Sequence, residues 1–198
     1  MTKLARALAT LLLATVSIPS VAQTARVRGE IEKFDHSVLT VKAQDSAIID
    51  IKLDNDAAIT AMTKASLADI ATGSFIGTAA HPGGPNGELV ALEVHVFAES
   101  MRGTGEGHRP MTQGHTMTNA TVENVVTAMN NRILTLRYNG GEQHIQIPDG
   151  IPIVMLSPSD RNALKTGEHV SFKATKQPDG TITAARITVG VDGVIPPL

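Results

Sequence analysis

Cysteine and tryptophan are absent from this chain of 198 residues, and aromatics are scarce, with one Tyr and four Phe. Without cysteine no disulfide can staple the fold, so each domain must be held by its own apolar core. The same absence removes the thiol nucleophile from the list of catalytic options. So few aromatic side chains leave no stacking platform for single strands or sugars. Basic residues fall short of acidic ones, 17 against 19. Binding to phosphate backbones needs the opposite balance, so nucleic acid is not an expected partner.

Long apolar runs are missing as well, with one short exception at the start. Lys3 and Arg6 precede an apolar stretch from Leu8 to Ile18, too short to span a bilayer. Pro19 breaks it, and Ser20-Val-Ala22 offers the small residues of a cleavage site. Residues 1–22 therefore read as a cleavable signal peptide, and the mature chain is expected in the periplasm, without a membrane span. No cysteine follows to carry a lipid anchor. Without Lys3 and Arg6 there are 15 basic residues against 19 acidic, a net charge of −4.

What is present is a repeat. Val27-Arg-Gly-Glu-Ile31 matches Val122-Glu-Asn-Val-Val126, and Leu39-Thr-Val-Lys42 matches Leu134-Thr-Leu-Arg137. Further on, Thr72-Gly73 matches Thr166-Gly167, and Pro85-Asn-Gly-Glu-Leu89 matches Pro178-Asp-Gly-Thr-Ile182. A duplication of this size implies two similar small domains, repeat one over 23–98 and repeat two over 118–198 with a C-terminal tail. Each shows three runs of period-two alternation, a short helical signal near 65–71 or 158–165, and two more strands. That order predicts an all-β protein of two tandem five-stranded barrels of oligonucleotide/oligosaccharide-binding (OB) type, each with one short helix. The expected core pairs Val27, Ile31, Leu39, Val41, Ile51, Leu53, Ile76, Leu89, Leu92, Val94 and Val96 with counterparts that include Val126, Leu134, Ala185 and Val189. Between the repeats, residues 99–117 carry four glycines and almost no aliphatic side chains. They read as an irregular Gly-rich linker, ordered against repeat one.

The strand motif Val27-x-Gly-x-Ile31 with Asp35 and Leu39-Thr-Val41 resembles a bacterial exported β-barrel domain family of unknown function. The linker Met101-Arg-Gly-Thr-Gly-Glu-Gly-His-Arg-Pro110, with Thr116-Met-Thr-Asn-Ala120, is similar to the central segment of its two-copy proteobacterial subgroup. The resemblance implies export and a small β-barrel fold. It implies no activity, so it transfers no catalytic residues.

Seven histidines are the main chemical resource. His95 shares a strand face with Glu93, while the second repeat has Thr188 and Arg186 there, so the fold does not demand the pair. The linker adds His108 and His115. Imidazole with carboxylate suits zinc, copper or nickel, which makes His95, His108 and His115 the candidate metal ligands. Glu93, Arg102, Glu106 and Arg109 would form the rim of a ligand site, with His95 and His108 in close approach. The Gly103-x-Gly105-x-Gly107 run is not followed by a helix and so is no phosphate loop. No nucleophile elbow is present. The expectation is a non-enzymatic binding or envelope-interaction protein without a required cofactor, whose partner is a protein or small ligand of the cell envelope. The alternative is a periplasmic metal-binding protein.

Overall fold

The computed structural model describes residues 23–128 and 131–196. The expected signal peptide, 1–22, lies outside them. Among the described residues there is no α-helix, only four single 3₁₀ turns. The strands are β1 (Gln23–Asp35), β2 (Val38–Ala43), β3 (Ile48–Lys64), β4 (Phe75–Pro82), β5 (Leu89–Phe97) and β6 (Gly107–Pro110). The second half adds β7 (Thr116–Ala128), β8 (Asn131–Tyr138), β9 (Gly141–Ile147), β10 (Ile153–Ser159), β11 (His169–Lys176) and β12 (Ile182–Gly190). Among the described residues no helix is long and apolar enough to cross a membrane.

All twelve belong to one continuous sheet. Five of them, in the order β1-β2-β3-β12-β11, close into a barrel. β1 pairs antiparallel with β11 and β2, and β12 pairs parallel with β3. A second set, β7-β8-β9-β5-β4, closes in the same pattern through the parallel β5–β9 contact. The first barrel encloses Ile31, Leu39, Val41, Ile51, Leu53, Val170, Phe172, Ile187 and Val189. The second set encloses Ile76, Val94, Val96, Val122, Leu134, Leu136, Ile145 and Ile147.

Repeats and closed sets of strands are thus different segments of the chain. Repeat one gives β1–β3 to the first barrel and β4–β5 to the second set. Repeat two gives β7–β9 to the second set and β11–β12 to the first barrel. The expected tandem arrangement, one barrel per repeat, does not match this pairing. The physical reason is the length of β3. At 17 residues and ~3.3 Å per residue it extends on the order of 55 Å, too far for one small barrel. Its end, Ile59–Lys64, pairs antiparallel with β10 on the way across. Met62, Val154, Leu156, Phe75, Phe97 and Val194 form a third small core at this crossing.

The core prediction holds at most positions and fails where strands bulge. Val126 is 49% exposed because β7 superposes on β1 with a different offset. Ile31 pairs with Val41, and Val122 with Leu136, each just before a bulge. The structural partner of Ile31 is therefore Val122, not Val126, and the hairpin after β7 is longer by four residues. Leu92 is half-buried and Ala185 exposed, because register shifts in β4–β5 and β11–β12 change which residues face inward. Val27, Leu89 and Ile182 are also half-buried.

Both expected short helices shrink to three residues. Ser66 caps Leu67–Asp69 through a reciprocal box, with Asp69 accepting from the Ser66 backbone N–H at 2.8 Å. Asp160 caps Arg161–Ala163. The linker is less irregular than expected, since it contains β6 and two 3₁₀ turns.

Several carboxylates are stabilised in their charged form. The Ser66 backbone N–H lowers the pKa of Asp69, and that of Thr181 lowers Asp179. Arg102 lowers Glu99, and Arg137 lowers Glu123. Each folded-state pKa lies below its unfolded value, so the stabilisation is present above the unfolded value and lost as pH falls through the folded one. Thermal stability should stay level from neutral pH to about 5 and drop below about 4. A circular-dichroism melt series would show this, and a melting temperature that rises on acidification would contradict it.

Candidate functional site

The predicted site residues sit around the outer face of β4, β5 and β7. Residues directly opposite in a ladder share a face, and the ladders sort them clearly. Gly77 lies opposite both His95 and Asn119, and Ala79 opposite both Glu93 and Met117. Glu93, His95, Asn119 and Met117 are therefore on the outside of the closed set. Thr78 lies opposite Thr118, and Thr118 opposite His108, which puts His108 on the other face. The expected approach of His95 to His108 does not occur. His108 Nδ1 lies 2.8 Å from Thr118 Oγ1, and its imidazole stacks on Tyr138 with centroids 6.2 Å apart.

His95 meets Glu93 instead. His95 Nε2 is 3.2 Å from Glu93 Oε1, with side-chain exposures of 13% and 1%. His115 approaches His81, with ring centroids 6.3 Å apart. Among the described residues no three of His, Asp and Glu converge closely enough to hold a metal ion. The three candidate ligands are thus brought into three different contacts.

The proposed rim residues are used to fasten the linker. Arg102 donates to Glu99 and to the Gly73 carbonyl at 2.7 Å, and lies over the Phe75 ring at 5.9 Å. Arg109 donates to the Gly105 carbonyl at 2.9 Å, and Glu106 accepts the Asn139 N–H at 3.0 Å. Asn119 donates to the Thr104 carbonyl at 2.9 Å, anchoring the linker across β7. Gly77 is required beneath this strap, because a Cβ there would stand 2.6 Å from Asn119 Oδ1. The strap touches strands of both repeats, since β7 belongs to repeat two.

Open clefts lie on the first barrel. One of about 310 Å³ is lined by Arg28, Glu30, Lys42, His169 and the tail residues Ile195 and Pro196. A second, about 230 Å³, is lined by Arg26, Lys173 and Arg186 with Ser171, Thr188 and Thr60. Another, about 550 Å³, lies between Lys52–Asp56 and Gln177–Thr183. These basic residues were not singled out in the sequence, although Arg26 and Arg28 alternate on one strand face. What brings Lys173 and Arg186 to them is the exchange of β11–β12 between repeats. Comparison with family models, curated proteins and solved structures found no match.

Proposed function

We propose that this chain is an exported, non-enzymatic binding protein of the periplasm, built from two OB-like barrels that exchange their last two strands. Its partner is a protein or small ligand of the cell envelope. The strand order supports the OB-like reading: in each closed set the first strand pairs with the fourth and the third runs parallel to the fifth. The family resemblance of the Val27–Val41 and Met101–Ala120 segments points the same way.

The observation that carries the binding reading is an asymmetry between two related faces. On the second set the outer face of β4, β5 and β7 is closed by the linker, and all of Phe75–Ala80 is buried. On the first barrel the equivalent face of β11, β12 and β1 is open, with Arg26, Lys173 and Arg186 exposed around clefts. A face that one copy covers and the other leaves open is where a partner would bind. The metal reading has pairs of ligands rather than triads to support it.

Amide chemical shifts of the mature protein, recorded with and without envelope extract, test the binding reading. Shifts are expected in β1, β11 and β12. Shifts confined to 99–117, or none, would sink it. Equilibrium dialysis against zinc, copper and nickel is expected to show no stoichiometric uptake; uptake lost in His95→Ala would favour the metal alternative.

A further inference from the structure

We infer that the exposed face of β1, β11 and β12 is an anion site, built from Arg26, Lys173 and Arg186, for a soluble ligand carrying more than one phosphate group. The inference rests on the binding reading above and names its ligand class. Arg26 stands directly opposite Lys173 across the β1–β11 ladder. Arg186, on the next strand, lines the same cleft. Among the described residues none of the three side chains makes a hydrogen bond or ion pair to a protein group. Like charges placed directly opposite in a sheet destabilise it. Here the repulsion is left uncompensated by any acid on the row, and such local conflicts gather at functional sites.

The second closed set shows what this row becomes when it is not a site. With the offset set by the bulges, Met117, Ala79 and Glu93 occupy the places of Arg26, Lys173 and Arg186. Ala79 and Glu93 are buried and Met117 half-buried, and the one ionisable side chain among them is an acid. The same row is thus largely covered and mostly apolar in one closed set, and exposed and wholly basic in the other.

Ligand chemistry follows from spacing and from the groups between the charges. Adjacent strands lie ~4.8 Å apart, so three neighbouring strands spread their cations over roughly 10 Å. That width suits an oligophosphate lying across the strands rather than one small anion. Ser171, Thr188 and Thr60 add hydroxyl donors on the cleft wall. Two guanidinium groups provide the planar, forked donors that match phosphate oxygens. Arg28, further along the same face of β1, has a buried Nε without a hydrogen-bond partner. Glu30, beyond it on β1, lies opposite Lys42 and His169, away from the row. The chain's overall charge of −2 makes the patch a local feature rather than part of a basic surface.

Calorimetric titration of the mature protein with inorganic pyrophosphate tests this, at constant ionic strength set with chloride. Saturable one-to-one binding is expected, weakened roughly tenfold by Arg26→Ala, Lys173→Ala or Arg186→Ala. Lys173→Glu should abolish binding yet raise the melting temperature by about 1–3 °C, because it turns a repulsive cross-strand pair into an attractive one. A purely structural role would not give loss of binding with gain of stability. Affinity unchanged in all three alanine variants would overturn the assignment. So would binding to phosphatidylglycerol vesicles without any response to pyrophosphate, which would make the face a membrane contact. If envelope extract shifts the β1, β11 and β12 amides but pyrophosphate does not bind, the anion assignment fails and the binding reading stands. If neither acts, both fail.

Discussion

Residues 23–98 produced alone are expected to yield no folded monomer. In the intact chain β1 takes its fourth-strand partner, β11, from repeat two, and β3 takes β12. The hairpin β4–β5 in turn needs β7 and β9. A single repeat would expose every one of these edges and half of two cores. Two copies, however, can exchange hairpins as the two repeats do, giving a domain-swapped dimer. Light scattering on the purified fragment should report twice the fragment mass, or aggregate. A stable monomer with a sheet-like circular-dichroism spectrum would show that one repeat closes its own barrel and that β3 need not cross.

Much of this architecture is legible in the residues. Leu39-Thr-Val41 and Leu134-Thr-Leu136 alternate strictly, and their inward members are fully buried. His36 takes the positive φ of 52° that its turn position implies. Strand exchange is not legible, because a repeat predicts the same strands whether its partners lie within the copy or across it. The clue was residues 59–64, where Ile59 and Met62 are apolar and no turn residue intervenes before Ser66. Bulges were hidden for a related reason. A bulge adds one residue and reverses the alternation, so Val126 and Ala185 fell on the outer face although each completes a period-two pattern.

The candidate site was legible as chemistry but not as geometry. Glu93 and His95 do form a pair, as their two-residue spacing suggests. His108 lands on the opposite face because Gly107–Pro110 forms a strand of its own beside β7. Arg102, Glu106 and Arg109 read as a binding rim because they are polar and set among glycines. Their side chains are instead bound to the chain's own Gly73, Asn139 and Gly105 backbone groups. Arg26, Lys173 and Arg186 are spread over 161 positions of the sequence, and only the crossed pairing makes them neighbours.

Removing His95 while keeping Glu93 should cost measurable stability on the second set's outer face. Glu93 is almost completely buried, and its carboxylate lies 3.2 Å from the imidazole. Its backbone carbonyl also accepts from Thr78 Oγ1 at 2.8 Å, which ties this part of β5 to β4. Removing one partner of a buried polar contact typically costs about 1–3 kcal/mol, the desolvation penalty of the group left behind. His95→Ala is therefore expected to lower urea-unfolding stability by about that amount. Removing both partners in Glu93→Leu/His95→Leu should cost far less, since buried pairs replaced by apolar groups are often neutral. The double variant is the decisive comparison. The other barrel carries Arg186 and Thr188 at these places and folds without such a pair, so the pair is a consequence of burial under the linker and not a requirement of the strands. If His95→Ala unfolds with less than about 1 kcal/mol lost, or if the double variant is no better than the single one, the pair is not holding this face together.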